Sequence, residues 1–148
     1  MGLTGKSLIF SFPIALSLSL WVSPMSFAVE PPSFVNDCGA TAYKPDQLTP
    51  YCADAGAAVI KIRWATWTRS KAIGQGLYTV NNCVPDCVDG KWKTHRVAIV
   101  LSKAMKTHGH LFLLNVNVHS IDDAPLPTSG TNVHSGNSFS WVADSWNN

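Results

Sequence analysis

The sequence contains little charge and almost no glutamate. Of its 148 residues, 14% are charged, and 11 basic against 9 acidic side chains leave a formal net charge of +2. Proteins that bind nucleic acid neutralise phosphates with clustered Lys and Arg, so we expect no nucleic-acid partner. Hydrophobic residues make up 46% of the chain, which argues against disorder throughout. The length suits a single domain.

Several motifs that carry catalysis are also missing. The sequence has no G-x-S-x-G of serine hydrolases, no C-x-x-C pair and no complete phosphate-binding glycine loop. Glu30 is the only glutamate, so a glycosidase pair of carboxylates would have to come from aspartates. We therefore predict no catalytic residues and no cofactor.

Histidines offer the strongest hypothesis for a metal site. His108 and His110 are two residues apart, which places both on one face of a strand, as in many zinc sites. Gly109 between them is typical of a turn, and no carboxylate is near in sequence. We predict that these histidines lie in a solvated loop and that the chain binds no metal.

Long apolar runs are scarce, and the one present lies at the N-terminus. The charge-free run 7–22 follows Lys6 and precedes Ser26-Phe27-Ala28, whose small residues suit cleavage after Ala28. A basic start, an apolar middle and a small-x-small end predict a signal peptide at 1–28. The run is short for a bilayer core of roughly 30 Å, although an uncleaved anchor is the alternative. We expect a secreted or cell-envelope protein with no membrane span after cleavage.

Four cysteines follow the predicted cleavage position. An even number in an exported chain indicates two disulfides, and four cysteines allow three pairings. We favour the sequential pairing, Cys38 with Cys52 and Cys83 with Cys87, because both loops are short enough to close early. With this pairing, the disulfides fix loops onto a core that must hold itself together.

Apolar residues alternate with polar ones in three segments. Such alternation with β-branched and aromatic residues predicts half-buried strands, and shorter strand candidates lie at 47–51 and 77–80. We predict an all-β fold, a small antiparallel β-sandwich or barrel of about five strands. The residues expected on one face are Ile60, Ile62 and Trp64 in the first segment, Val97, Ile99 and Leu101 in the second, and Phe112, Leu114, Val116 and Val118 in the third.

The composition changes at both ends of this β pattern. Residues 29–36 contain Pro31 and Pro32 and are expected to form an exposed leader, and residues 37–121 to form the β domain. Residues 122–148 are rich in Ser, Thr, Asn, Gly and Pro and lack Lys and Arg, which predicts a flexible tail. One more strand at 138–143 is the alternative.

Four short motifs occur in a fixed order. The motifs are Cys52-Ala53-Asp54, Trp64-Ala65-Thr66-Trp67, Gly74-Gln75-Gly76 and Cys83-Val84-Pro85-Asp86-Cys87. Together they resemble a group of small exported actinobacterial proteins of unknown function, which carry CAD, WxxW, GxG and CxPxC in this order. The resemblance covers about residues 38–118 and implies export and compactness, but no catalytic residues. Val88 stands where that group suggests alanine, and the tail lies outside the pattern.

Three tryptophans and one aspartate are the candidate binding residues. Trp64 and Trp67 are three apart, so on a regular strand they point to opposite faces. The exposed one is expected to form an aromatic platform for a sugar or for an apolar side chain of a partner, joined by Trp92 if its strand lies alongside, and Asp54 is a separate candidate binding residue. The alternatives are that the tryptophans fill the core and that Asp54 caps a turn.

These features favour a non-enzymatic binding module over an enzyme. We predict a secreted, disulfide-stabilised β domain that binds a protein or a cell-envelope component, with the loop 82–90 as the element that inserts into a partner. The alternative function is a small secreted hydrolase whose site combines Asp, His and Ser.

Overall fold

The computed structural model describes residues 2, 32–53, 56–128 and 136–143, and these residues form seven β-strands and no helix. The all-β class is therefore confirmed. The predicted signal peptide, apart from Gly2, lies outside the described residues. No membrane-spanning helix is found in the part of the chain that is described. The strands are β1 (Ser33–Asp37), β2 (Ala40–Ala42), β3 (Ala57–Trp67), β4 (Ala72–Asn81), β5 (Trp92–Thr107), β6 (His110–Ser120) and β7 (Ser138–Val142).

All seven strands belong to one sheet. Its order is β2-β1-β6-β5-β4-β3, and β7 pairs with β6 beside β1. Strands β3 to β6 follow one another as antiparallel hairpins, and only the short β1–β6 pairing is parallel among the described strands. The sheet thus has more strands than the five expected, because three short ones extend the central meander.

The sheet curls into a half-barrel, and the curl brings β1 towards the end of β3. The register of β3 against β4 shifts twice, between Ile60 and Arg63 and again between Trp64 and Thr66. Such bulges bend a strand and increase its twist. As a result β1 approaches the end of β3, where Ser33 Oγ donates a hydrogen bond to the carbonyl oxygen of Thr68 at 2.7 Å.

The concave side of the curled sheet contains the core. The predicted inward residues of β5 are fully buried, and so are Val116 and Val118 of β6, while Phe112 is only half-buried and packs near Phe34. Burying this apolar surface drives folding. Core residues that are at most 1% exposed include Val35, Leu48, Val59, Tyr78, Val80, Val97, Ile99, Leu101, Leu113, Val116 and Val118.

The first bulge overturns one face assignment. Ile60 was expected on the buried face, but Val59 is buried with 0% exposure and Ile60 is only half-buried. Lys61 adopts a positive φ of 54° at the bulge. As a result, Ile62 is the next residue after Val59 to point into the core, and it is 6% exposed. One extra residue in the strand exchanges the two faces.

The strand candidates at 47–51 and 77–80 also change extent. The first is reduced to a single bridge between Leu48 and Val59. The second is part of the ten-residue strand β4, which begins at Ala72. The predicted strand was too short because Gly74 and Gly76 lie in it, and glycine is depleted in strands and typical of turns.

The ordered sheet extends beyond the predicted domain limits of 37 and 121. Strand β1 begins at Ser33, inside the expected leader 29–36, and its Val35 is fully buried. Strand β7 lies in the expected flexible tail 122–148, and its Phe139 is 8% exposed. Both corrections have one cause: these segments pair along the free edge of β6 and bury apolar side chains such as Val35 and Phe139 in the core. Residues 129–135 and 144–148 lie outside the description.

Both disulfides form with the predicted sequential pairing, Cys38 with Cys52 and Cys83 with Cys87. The first joins the turn after β1 to the segment that precedes β3. Beside it, the backbone N–H of Thr49 donates to Asp37 Oδ1 at 2.7 Å. This disulfide therefore holds the 43–52 segment across the gap between β1 and β3.

Gly74 lies where β4 touches the second bulge of β3. A Cβ atom at this position would be 2.8 Å from Trp64 Cε3 and 2.9 Å from the carbonyl oxygen of Arg63. Real Cβ atoms do not come this close, so glycine is required for the contact between the strands.

We predict that Gly74→Ala lowers the free energy of unfolding by about 1–3 kcal/mol, because the indole and the β3 backbone must move apart. Chemical denaturation measures the change, with Gln75→Ala on the exposed side of β4 as the control, expected within about 0.5 kcal/mol of the parent. Without the close contact, replacing glycine by alanine in a strand would stabilise the protein. Equal or higher stability of Gly74→Ala would contradict this packing.

Candidate functional site

The loop between β4 and β5, residues 82–91, is closed by the Cys83–Cys87 disulfide and is called the disulfide loop below. The two cysteine Cα atoms are 3.9 Å apart, so the chain reverses within five residues. The loop projects from the end of the sheet where Asn81 of β4 pairs with Trp92 of β5.

Asn81 holds the base of the disulfide loop. Its side chain is nearly inaccessible, at 5% exposure. The amide oxygen accepts a hydrogen bond from the backbone N–H of Cys83 at 2.9 Å, and the amide nitrogen donates to the carbonyl oxygen of Cys87, also at 2.9 Å. One buried side chain thus fixes the backbone at both cysteines. Buried hydrogen bonds of this kind are costly to break.

Two further side chains order the rest of the loop. Asn82 Oδ1 accepts hydrogen bonds from the backbone N–H groups of Val84 at 3.3 Å and Lys91 at 2.8 Å. Asp86 Oδ1 accepts from Val88 and Asp89, each at 2.9 Å. Asp86 therefore caps a turn through two backbone N–H groups.

The loop requires glycine at position 90, because no larger residue fits there. An added Cβ would overlap Asn81 Oδ1 and would lie 2.9 Å from both the carbonyl oxygen of Asp86 and the backbone nitrogen of Cys83. Sequence reasoning missed the two asparagines and this glycine as parts of the site. The signal was the Asn81-Asn82 pair directly before a cysteine, since asparagine side chains commonly bind nearby backbone groups.

The disulfide loop presents an apolar tip, which we define as Val84, Val88 and Trp92. These side chains are 62%, 94% and 57% exposed. Asp86, Asp89, Lys91 and Lys93, two acids and two bases, are the exposed charges of the same segment. A fixed loop that holds apolar side chains in water has the character of a contact surface.

The three tryptophans do not form one platform. Trp92 pairs with Asn81 at one end of β4, whereas Trp67 pairs with Ala72 at the other end. Ten residues of strand separate these ends by about 30 Å. Neither Trp64 nor Trp67 is the exposed member expected of that pair, since both are half-buried, whereas Trp92 is 57% exposed.

Trp64 and Trp67 lie on the same face, which corrects the expectation of opposite faces. The register shift at Ala65 adds one residue between them, so a spacing of three brings both rings to one side. Their ring centroids are 4.8 Å apart at an interplanar angle of 89°. Both indoles are half-buried and pack against the core.

The two indoles close the gap between β1 and β3. Trp64 Nε1 donates to the carbonyl oxygen of Pro45 at 2.7 Å, and Trp67 Nε1 donates to that of Ser33 at 2.9 Å. Tyr43 packs edge-on against Trp67, with ring centroids 5.5 Å apart. Interlocked rings whose N–H groups are satisfied internally serve packing.

A serine, a histidine and an aspartate meet at the end of β6. Ser120 Oγ donates to Asp122 Oδ1 at 2.5 Å. His95 Nε2 lies 2.8 Å from Ser120 Oγ and 2.9 Å from the same carboxylate oxygen. The serine hydrogen bond, then the backbone N–H of Ala124, then His95 lower the pKa of Asp122 to about 2.

This cluster lacks the arrangement of a hydrolytic triad. In a triad, the carboxylate and the serine bind opposite nitrogens of the imidazole, whereas here both face Nε2 of His95. The serine hydroxyl donates its hydrogen bond to the carboxylate and not to the histidine. Ser120 is also only 2% exposed, so its oxygen is not presented to a substrate. The geometry makes the cluster an anchor for the chain that leaves β6.

The two candidate metal ligands belong to the turn between β5 and β6. His108 has a positive φ of 49°, and Gly109 follows with 84°. The imidazole of His110 packs edge-on against Phe34, with ring centroids 5.8 Å apart. In the described part of the chain, no group of three His, Cys, Asp or Glu side chains is placed to hold a metal ion. Asp54 lies outside the described residues.

Comparisons with protein families, with curated protein sequences and with solved structures give no match for this chain.

The lowered pKa of Asp122 predicts a stability contribution that depends on pH. Since the folded-state pKa is about 2 and the ordinary value is 3.8, this contribution is complete above about pH 4 and is lost as the pH falls towards 2. We expect Asp122→Asn to unfold at a lower temperature than the parent protein at pH 7, with a difference that shrinks between pH 4 and pH 2.

Thermal unfolding followed at several pH values measures this difference. Asp89→Asn, an exposed aspartate on the disulfide loop, is the control and should leave the melting temperature unchanged across the range. A difference between Asp122→Asn and the parent that stays constant down to pH 2 would show that the carboxylate is not stabilised by its neighbours.

Proposed function

We propose that this chain is an exported, non-enzymatic binding module that recognises a protein partner through the apolar tip of the disulfide loop. The observation that carries the proposal is the 94% exposure of Val88 on a loop whose backbone is fixed by a disulfide and by three side chains. Trp92, the first residue of β5 after the loop, supplies the large aromatic area that commonly dominates protein interfaces.

The fixed loop lowers the entropic cost of association. Ordering a flexible segment at an interface costs free energy that reduces affinity, so a segment already held in its bound shape binds more tightly. Asn81 and Asn82 hold both ends of the loop through four hydrogen bonds at 2.8–3.3 Å. This order is independent of any partner.

The chemistry of the tip favours a protein over a glycan. Sugar binding uses the open face of an aromatic ring together with many polar groups, whereas Val84 and Val88 offer only methyl groups. A shallow apolar pocket on a partner protein suits these side chains and the indole of Trp92. With two acids and two bases beside the tip, the local charges cancel, so we expect an affinity that depends little on salt.

We also propose export to an oxidising compartment, after removal of residues 1–28, and membership of the small exported actinobacterial proteins that the chain resembles. Two disulfides are consistent with such a compartment. We regard the scaffold as a partly open barrel, because the indole of Trp67 and the 43–52 segment bridge β1 and β3.

The tip is tested by placing a photo-reactive amino acid at Val88 of the mature protein and exposing it to the host's culture filtrate and envelope extract. A protein captured at Val88 is then purified, and its affinity is measured by calorimetry. We expect Val88→Asp and Trp92→Ala each to weaken binding more than tenfold, as hot-spot residues do. Met105→Gln is the matched control, an exposed apolar residue elsewhere on β5.

Unchanged circular dichroism of each variant separates lost binding from lost folding. The proposal fails if the purified protein binds Val88→Asp as tightly as the parent. It also fails if a photo-reactive group at Met105 captures proteins while one at Val88 captures none.

The contribution of the disulfide is tested by replacing Cys83 and Cys87 together with serine. Loop entropy predicts a loss of about 2 kcal/mol in stability from a loop of this length, with the sheet and the Cys38–Cys52 disulfide intact. Affinity for the captured partner should fall because the loop must then be ordered on binding. Equal affinity of the double variant and the parent would show that preorganisation plays no part.

A further inference from the structure

A groove of about 430 Å³ lies on the outward face of β3, β4 and β5, on the opposite side of the sheet from the core. Its floor is largely apolar, and Ile73 and Ile121 are 38% and 41% exposed. Three long cationic side chains line it. The residues along the groove that carry these properties are Lys61, Arg63, Ile73, Leu77, Arg96 and Ile121.

The three cations flank the outward residues of β4 from both sides. Arg63 of β3 pairs with Gln75, and Arg96 of β5 pairs with Leu77. Neighbouring strands are about 4.8 Å apart, so these guanidinium groups stand within reach of one small molecule on β4. Lys61 is placed outward by the first bulge of β3, where its φ is 54°.

These positive charges are not neutralised within the described part of the protein. Lys61, Arg63 and Arg96 form no ion pair with any described residue, and no described carboxylate lines the groove. Like charges gathered in one groove repel one another and create a positive potential over it. An anionic ligand would relieve this repulsion.

We propose that the groove binds a small amphiphilic anion, a carboxylate or phosphate monoester with an unbranched apolar tail. The volume lies in the range of small-molecule sites, which are mostly apolar with a few charged groups that orient the ligand. Arginine binds carboxylates and phosphates through paired hydrogen bonds. The head group then lies between Arg63 and Arg96, near Leu77, and the tail extends along β4 towards Ile73.

This site is separate from the apolar tip. Ile73 is next to the Trp67–Ala72 end of β4, whereas the disulfide loop leaves from Asn81 at the other end. Binding in the groove therefore does not depend on the proposed function of the apolar tip. An experiment can contradict one of the two proposals and leave the other standing.

The test is a calorimetric titration of the mature protein with decanoate and with decyl phosphate, each below its micellar concentration. Decan-1-ol is the neutral control, with the same tail and no charge. We expect at least one anion to bind at least tenfold more tightly than decan-1-ol, and the two anions together identify the preferred head group.

The double variant Arg63→Gln/Arg96→Gln should lose about tenfold or more in affinity for the anion that binds. Lys106→Gln, an exposed cation of β5 outside the groove, is the matched control and should bind as the parent does. The proposal is overturned if neither anion binds, if decan-1-ol binds as tightly as the anions, or if the double variant binds like the parent.

Discussion

The two bulges of β3 set the curvature of the sheet and the positions of both candidate surfaces on β3. They bend the strand so that the sheet curls, and the curl brings Ser33 of β1 within hydrogen-bond reach of the β3 end. Each bulge also changes what its neighbours face. The first sends Lys61 and Arg63 outward onto the groove, and the second turns Trp64 and Trp67 to one side, where they close the half-barrel.

Much of the fold follows from the sequence because strand alternation and cysteine spacing are local signals. The inward residues of β5 and the two disulfides needed no knowledge of distant contacts. Face assignments failed where a bulge adds a residue, since a bulge arises from packing against the partner strand. The close approach at Gly74 that accommodates it is visible only once β4 lies beside β3.

The candidate sites were harder to foresee for a related reason. The loop 82–90 was recognisable from its cysteines, yet its order comes from Asn81, whose burial depends on the strand it ends. The cationic groove joins residues of β3 and β5 that are about 30 positions apart in the chain. Only strand register brings such residues together, and register is set by the whole sheet.

The disulfide loop is ordered in the free protein, and backbone ¹⁵N relaxation measures that order. We expect order parameters for residues 82–91 close to the value of about 0.85 found for rigid backbone, equal to those of β4 and β5. Values below about 0.6 across the loop, with the disulfide intact, would contradict it.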